Sequence, residues 1–239
     1  MTKDNSKDKK KTKTKVEKPR GLQKTVRVKN RKKMTNSSAN WIERQLNDPY
    51  VAAARAEGYR SRAAFKIIQM DEDLGLFKPG QKVVDLGAAP GGWTQMAVQR
   101  VKPEKTGGII ASIDYLDMPE IPESTFICMD FMDDKAPDLL KEIIGGEADL
   151  VMSDMAPPTV GHKRTDHLRI MGLAEAAYEF AREVLVQDGV FLSKVFMGGA
   201  DKDFLDMLKR DFKKVKHVKP HASRSDSSEM YVVATGFRG

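Results

Sequence analysis

The 239-residue sequence has almost no cysteine and no long apolar run. Its one cysteine, Cys128, excludes an internal disulfide and a zinc site built from four thiolates. Apolar runs such as residues 109–111 fall far short of the roughly 18 residues of a membrane-spanning helix, so we expect no membrane span. The lysine-rich start is not followed by an apolar segment, so we expect no secretory signal and a cytoplasmic location.

The positive charge is concentrated at one end of the chain. Residues 1–40 hold 15 Lys and Arg against three acidic residues, a net charge of +12, whereas the rest holds 26 basic and 31 acidic residues, a net charge of −5. Residues 1–38 also lack apolar periodicity, which predicts a disordered basic tail. Such a tail is typical of proteins that contact nucleic acid, although it could be only a solubility-promoting extension. Residues 39–239 have the length of one folded domain.

After the tail, helical and strand-like patterns alternate. A helical pattern begins near Trp41 and is interrupted near residues 48–49, and a second helix is expected over residues 62–74. The alternation that follows predicts an α/β fold with a mostly parallel sheet covered on both faces. Strands are expected at residues 82–86, 108–113, 125–129, 149–153, 190–195, 215–219 and 230–235, with helices at residues 94–101, 136–144, 168–186 and 203–212.

A glycine-rich loop follows the first expected strand, where residues 85–93 read DLGAAPGGW. Its glycines let the backbone pass close to a ligand and present N–H groups from the start of the next helix. Gly87, Gly91 and Gly92 miss the G-x-G-x-x-G spacing of nicotinamide-binding loops, and the run lacks the Gly-Lys-Ser/Thr ending of a phosphate-binding P-loop. The loop therefore predicts a ligand site that belongs to neither class.

Acidic residues stand at the ends of the next two expected strands. Asp114 follows the second strand, where an acid in a doubly wound sheet receives a ribose diol. Asp130 follows the third strand and is placed to meet an adenine edge. Each acid alone is more often a solvated turn residue, but their combination with the glycine loop favours a cofactor that carries a ribose and an adenine.

Three motifs carry a resemblance to a known family. The loop at residues 85–93, the sequence SDMAP at residues 153–157 and the sequence SKVF at residues 193–196 resemble the FtsJ/RrmJ family of ribose 2′-O-methyltransferases. The likeness extends from about residue 41 to residue 236 and leaves out only the tail. It implies a Rossmann-like fold of seven strands with the last strand antiparallel, and S-adenosylmethionine as the methyl donor.

The resemblance also implies a set of cofactor contacts and a substrate. Gly91 and Trp93 would lie against the methionine end of the cofactor, Asp114 on its ribose and Asp130 near its adenine, and Asp154 would also contact it. The implied reaction is methylation of the 2′-hydroxyl of a uridine in large-subunit (23S) ribosomal RNA. The implied partner is the large ribosomal subunit or its precursor, with the enzyme expected to be a monomer.

Members of the family line their active site with a Lys-Asp-Lys-Glu set, which corresponds here to Lys66, Asp154, Lys194 and Glu229. These residues are 88, 40 and 35 positions apart, so only folding can bring them together, at the carboxyl ends of the strands. Lys194 lies within the apolar run at residues 190–196, where a lysine without a partner is costly. This position favours a functional role for Lys194 over that of a solvated surface charge.

The chemistry explains why these residue types are needed. Charge disappears as a ribose hydroxyl attacks a sulfonium methyl, so alignment and proton removal are the tasks left to the protein. Lys194 is the candidate base, which requires it to lose a proton that an ordinary lysine, with a pKa of about 10.4, keeps at neutral pH. Burial, Lys66 and the positive sulfur favour the neutral amine, whereas Asp154 and Glu229 favour the ammonium. Alternatively, Lys194 orients the hydroxyl as a donor, with help from Asp154.

Other functions fit the sequence less well. The run DMAPP at residues 154–158 lacks the aromatic residue of the Asp/Asn-Pro-Pro-aromatic motif that amino-methylating DNA enzymes use, so base methylation is disfavoured. A transfer RNA target or a non-catalytic ribosome assembly factor are the alternatives to the ribosomal RNA methyltransferase. We expect a basic loop to contact substrate phosphates, and we expect no metal site because no carboxylate–histidine spacing supports one. The loop contains His162, Lys163, Arg164 and His167.

Overall fold

The computed structural model describes residues 26–29, 33–158, 160–196, 202–225 and 227–239, without the side chains of Ser37 and Lys163. The greater part of the expected tail, residues 1–25 and 30–32, thus lies outside the described residues. Within residues 26–29, the N–H of Val26 donates to the side chain of Asn47, at 2.7 Å, and the Asn47 amide donates back to the Val26 carbonyl at 2.9 Å. Val26 is therefore bonded to the residue that directly follows the first helix.

Three helices precede the sheet: α1 (Asn36–Leu46), α2 (Pro49–Glu57) and α3 (Ala64–Leu74). The expected interruption near residues 48–49 is confirmed, because Asp48 caps α2 by accepting from the Tyr50 N–H at 3.0 Å and Pro49 takes the first helical position. Helix α1 begins at Asn36 and so includes the last three residues of the expected tail. The second expected helix corresponds to α3.

The sheet has seven strands in the order β3-β2-β1-β4-β5-β7-β6. Strand β7 runs antiparallel to both of its neighbours, and the other pairings are parallel, so the expected mostly parallel sheet with an antiparallel last strand is confirmed. The strands are β1 (Lys82–Leu86), β2 (Ile109–Asp114), β3 (Thr125–Cys128), β4 (Ala148–Ser153), β5 (Leu185–Phe196), β6 (Phe212–Val218) and β7 (Glu229–Phe237).

Helices cover both faces of the sheet and form two apolar cores. Helices α2, α3 and α4 pack on one face, and α6, α7 and α8 pack on the other. Helices on both faces of a mostly parallel sheet confirm the predicted α/β fold. The strands in the middle of the sheet are consequently buried on both sides. The helices within and after the sheet are α4 (Gly92–Val101), α5 (Pro103–Thr106), α6 (Ala136–Ile144), α7 (Lys163–Val184) and α8 (Lys202–Asp211).

Most element boundaries lie within three residues of the expectation, but two elements begin five residues earlier than expected. Helix α7 begins at Lys163 rather than at residue 168, because the His162 side chain accepts from the Thr165 N–H and caps the helix. Strand β5 begins at Leu185 rather than at residue 190, since Leu185 already pairs with Ala148 before a register shift. The residues expected to form a basic loop are therefore the cap and first turns of a helix.

Strand order decides where a site can form. The chain leaves β1 for β2 on one side and reaches β4 on the other side, so β1 and β4 are adjacent at the point where the strand order reverses. Ligands of open α/β sheets bind beyond the carboxyl ends of the strands at such a point. The ends of β1, β4 and β5 meet there, with Leu86 opposite Ser153 and Ser153 opposite Ser193.

Candidate active site

The four widely spaced residues of the Lys-Asp-Lys-Glu set come together at this edge of the sheet. The Lys194 ammonium nitrogen lies 2.9 Å from Asp154 Oδ1 and 3.9 Å from Glu229 Oε2. The Lys66 nitrogen lies 2.6 Å from Glu229 Oε1. Two cations and two carboxylates thus alternate in one cluster, and each is largely shielded from solvent.

Strand pairing explains this convergence. Strand β7 runs back along β5, which places Glu229 opposite Phe196 and Tyr231 opposite Lys194. Asp154 directly follows β4, and its N–H donates to the Leu86 carbonyl at 3.0 Å, which fixes it beside the end of β1. Helix α3, which packs on the same face as Tyr231, supplies Lys66 from its first turn.

Tyr231 completes the cluster and was not identified from the sequence. Its ring is fully buried, its hydroxyl donates to Asp154 Oδ1 at 2.7 Å, and the Lys66 nitrogen donates to that hydroxyl at 3.2 Å. Burial, followed by the negative charges of Asp154 and Glu229, raises the pKa of Tyr231 well above its usual value, so the hydroxyl keeps its proton and remains a donor. One signal was available: Tyr231 lies two residues after Glu229, on the same face of a strand.

The carboxylate of Asp154 is held in its charged form despite its surroundings. Burial alone would raise its pKa, but the nearby positive charges of Lys194 and Lys66 and the hydrogen bonds from Lys194 and Tyr231 lower the pKa of Asp154 below its usual range. The Lys194 nitrogen also donates to the Asp154 backbone carbonyl at 2.6 Å. Asp154 therefore holds Lys194 by two oxygens, one from its side chain and one from its backbone.

A polar loop before β7 orients Glu229. The Ser223 hydroxyl donates to Glu229 Oε1 at 3.1 Å, and the loop is held because the Ala222 N–H donates to the Gln69 side chain at 2.8 Å. The Arg224 guanidinium lies 3.4 Å from Asp48, the residue that caps α2. Ser223 and Arg224 of this loop thus connect Glu229 to the first helices.

A cavity of about 520 Å³ opens beside the cluster. Asp154 and Lys194 line it together with Asp114 and Asp130, so it joins the predicted catalytic residues to the predicted cofactor acids. Its volume lies within the range of small-molecule sites, about 300–1,000 Å³. Gly87 shapes its wall, since its φ of 79° is unfavourable for other residues and a Cβ there would lie 2.8 Å from the backbone nitrogen of Met155.

The two acids keep acceptor capacity for a ligand. Asp114 accepts one backbone N–H on each oxygen, from Ala89 at 2.9 Å and from Leu116 at 2.8 Å, and each carboxylate oxygen has a further lone pair. Asp130 accepts from the Met132 N–H at 3.0 Å. Three large side chains that line the same cavity stay more than half exposed and so offer apolar surface to a ligand. They are Tyr115, Leu116 and Met132.

Gly91 and Trp93 are placed differently from the acids. Neither is among the described residues that line the cavity. Gly91 precedes α4 with a φ of 103°, and a Cβ on it would lie 2.7 Å from the Ile121 side chain. The buried Trp93 indole donates to the Ala63 carbonyl at 2.9 Å and packs against the Tyr231 ring, with centroids 5.5 Å apart. Contact of either residue with the cofactor stays a prediction.

The helix-capping residues do not form a metal site in the described part of the chain. No group of three His, Cys, Asp or Glu side chains among the described residues lies close enough to hold a metal ion, and the absence of a metal stays a prediction. Nor is any helix of these residues both long and apolar enough to span a membrane. The exposed Arg164 lies on the first turn of α7, and the Arg169 guanidinium, one turn further on, donates to the Pro158 carbonyl at 2.9 Å at the edge of the cavity.

Comparison with known proteins identifies similar chains. Residues 59–237 match the family described as FtsJ-like methyltransferase. Two curated proteins named ribosomal RNA large subunit methyltransferase E are similar over most of their length: that of Parvibaculum lavamentivorans is 55% identical, covering 90% of this chain and 87% of its own, and that of Xanthobacter autotrophicus is 57% identical, covering 92% and 87%. A crystal structure described as a putative ribosomal RNA methyltransferase from Plasmodium falciparum is 29% identical, with a TM-score of 0.67, and covers 76% of this chain and 100% of its own.

Proposed function

The chain belongs to the FtsJ-like methyltransferase family, and from this premise we propose that it methylates a ribose 2′-hydroxyl of large-subunit ribosomal RNA with S-adenosylmethionine as methyl donor. The resemblance predicted from the motifs is confirmed, and the chain is an RNA methyltransferase. The uridine as target, the assembled large subunit or its precursor as partner, the monomeric state and the cytoplasm as location complete the proposal.

One observation carries the assignment of the site. Asp154 and Lys194 belong both to the charged cluster and to the wall of the cavity, so a group bound in the cavity lies directly beside the candidate base. A solvated pair of surface charges would not be arranged in this way. The surrounding residues, Lys66, Glu229 and Tyr231, fix the pair by hydrogen bonds and ion pairs rather than opening it to solvent.

The cavity fits S-adenosylmethionine by its hydrogen-bond acceptors. Asp114 would accept the ribose hydroxyls, since it keeps lone pairs beyond its two backbone contacts, and Asp130 would accept the adenine amine. The exposed side chains of Leu116 and Met132 would cover the ring. When bound, the cofactor supplies a methyl group on positively charged sulfur, for which the neighbouring carboxylate of Asp154 is a favourable partner.

The protein's part in the reaction is to hold the ribose hydroxyl and accept its proton. The Lys194 nitrogen makes two hydrogen bonds, to the Asp154 carbonyl and carboxylate, and its distance of 3.9 Å to Glu229 is too long for a third. One position on the nitrogen is therefore left for the substrate hydroxyl. In its charged form Lys194 would donate its third N–H to the hydroxyl and orient it, and loss of that proton to solvent would leave a lone pair that accepts the hydroxyl proton.

The other members of the cluster act as positioning residues in this proposal. Lys66 neutralises Glu229, and Tyr231 connects Lys66 to Asp154 through its hydroxyl. The Ser223 hydroxyl donates to the Glu229 carboxylate and so limits its rotation. These contacts keep Asp154 in one orientation, and Asp154 in turn fixes Lys194.

Ribose-methylation mapping of cellular RNA tests the proposal. A strain without the gene should lose one ribose methylation in large-subunit ribosomal RNA, the wild-type gene should restore it, and a Lys194→Met gene should not. Loss of a methylation in transfer RNA would assign a different substrate. No change in any RNA would favour the non-catalytic assembly factor.

A further inference from the structure

A second groove, of about 500 Å³, lies between α1, α2 and the turn that leads into α3. We propose that it binds a nucleotide of the substrate RNA adjacent to the target nucleotide, with the base stacked on Trp41 and the backbone phosphate at Arg55. The inference rests on the proposed function, because it requires that the substrate is RNA. The proposed contact with Trp41 and Arg55 lies outside the charged cluster and outside the cofactor cavity.

The first argument is the exposure of a tryptophan. Trp41 is 57% exposed and lines the groove next to Leu46, itself 42% exposed, whereas the other tryptophan, Trp93, is 2% exposed. Sequence-tolerant binding of single-stranded RNA uses such side chains as platforms on which bases stack. The groove is also large enough for a nucleotide.

The residues that line the groove carry positive charge. Three arginines line the groove, and none of its described lining residues is acidic. Arg62 is occupied by its ion pair with Asp48, at 2.9 Å, and Arg60 donates to the carbonyls of Pro119 and Glu120. Arg55 is exposed and forms no ion pair with another described residue, which leaves its guanidinium available to a phosphate.

The groove also lies next to the segment that leads to Lys66. Ser61 and Arg62 line the groove, and the same segment turns directly into α3 through a bond from the Lys66 N–H to the Ala63 carbonyl, at 3.0 Å. A strand of RNA that presents its ribose to the cluster at Lys66 therefore has its neighbouring nucleotide close to this groove. Three residues separate Arg62 of the groove from Lys66 of the cluster along the chain, so one segment contributes to both sites.

The charge also decides between possible occupants. The chain's own residues 1–25 are strongly basic and would be repelled by the three arginines. They join the fold at Val26, whose N–H is bonded to Asn47 just after α1, and α1 also supplies Trp41. By their charge, residues 1–25 and the arginines of the groove would thus attract the same polyanion rather than each other.

Tryptophan fluorescence of the full-length protein tests the proposal directly. A short single-stranded oligoadenylate should quench the emission of the wild-type protein, because base stacking reaches the exposed Trp41 and not the buried Trp93. Trp41→Ala should weaken binding by about tenfold, and Trp41→Phe, which keeps an aromatic face, by less. Arg55→Gln should weaken binding and lower the slope of log affinity against log salt by about 0.7.

Matched controls and a second assay distinguish the possible failures. Leu139→Ala on α6 and Lys209→Gln on α8 remove an exposed apolar side chain and an exposed positive charge elsewhere, and they should bind as the wild type does. With large subunits isolated from a strain without the gene, Trp41→Ala should raise KM and leave kcat and calorimetric cofactor binding unchanged. A wild-type protein that transfers no methyl group would refute the proposed function, whereas active variants at Trp41 and Arg55 that match the controls would refute the groove. Weaker binding to the particle with unchanged oligoadenylate binding would assign the groove to a ribosomal protein and would also overturn the proposal.

Discussion

Replacing Lys194 by methionine is the sharpest test of the catalytic cluster, because methionine keeps most of the apolar stem and removes the amine. We expect kcat to fall by about 10²–10⁴-fold, the range that a positioned general base contributes. Cofactor affinity should change little, since the acids Asp114 and Asp130 and the apolar side chains around them supply most of the proposed contacts. Single-turnover methyl transfer and calorimetric cofactor binding on one preparation measure the two quantities.

The structure also predicts the effect of this change on stability. Without Lys194, the buried Asp154 carboxylate loses an ion pair of 2.9 Å and keeps the Tyr231 hydroxyl at 2.7 Å. Losing a charged hydrogen-bond partner costs about 1–3 kcal/mol in the free energy of unfolding. Burial is then opposed by fewer positive charges, so the pKa of Asp154 rises.

The direction of the Asp154 pKa shift determines how that stability loss depends on pH. In the wild type the lowered pKa of Asp154 contributes stability that is present above its unfolded pKa, about 3.9, and is lost as the pH falls through the lower folded value. In the variant the folded pKa of Asp154 is higher, so the stability deficit grows as the pH rises from the folded pKa of the wild type to that of the variant. The double variant Lys194→Met, Asp154→Asn should recover stability and lose the pH dependence, yet stay inactive. Near-normal kcat in the single variant, or activity in the double variant, would remove Lys194 from the mechanism.

Three further predictions follow from other parts of the molecule. Asp114→Ala should weaken S-adenosylmethionine binding by about 1–3 kcal/mol in calorimetry, with no nicotinamide cofactor bound by either protein; unchanged affinity would contradict the assignment. Burial raises the pKa of Asp85 to about 7, above its unfolded value, so urea denaturation should show stability falling by a few kcal/mol from pH 4 to pH 7, and Asp85→Asn should abolish that slope. Deleting residues 1–25 should leave cofactor binding and kcat intact while weakening RNA binding and flattening its salt dependence; equal slopes would make the tail only a solubility extension.

The sequence predicted the sheet because its strands are short apolar runs bounded by turns and separated by helices. It predicted less well the places where the chain changes state without a typical signal. Helix α7 is capped by the imidazole of His162, which is not a usual capping residue, so the start was placed late. In β5 the residues Asp188 and Gly189 resemble a turn, and Asp188 has a φ of 66°, but Leu185 before them already pairs with β4. Pairing with a neighbouring strand cannot be read from a local pattern.

The candidate site was predicted to the extent that a residue's type is unusual for its element. A lysine in an apolar strand and acids at strand ends are such cases, and Lys194, Asp114 and Asp154 line the cavity as expected. A tyrosine in a strand is ordinary, and it is typical of a core position. Tyr231 acquires its role only because β7 is antiparallel to β5 and places its hydroxyl beside Asp154. That role depends on the order and direction of the strands in the sheet, which cannot be derived from the residues of β7 alone.

The charged groups of the cluster influence one another. Lys66, Glu229, Lys194, Asp154 and Tyr231 form one continuous set of contacts, so a change in the charge of one acts on the others. A bell-shaped profile of kcat against pH would therefore report values that belong to the cluster. For the same reason the losses from single substitutions do not add, and their sum would exceed the effect of the cluster. Comparing the single and double variants separates the loss of the amine from the burial of an unpaired Asp154 charge, since activity that returns in the double variant would show that the amine itself is not needed.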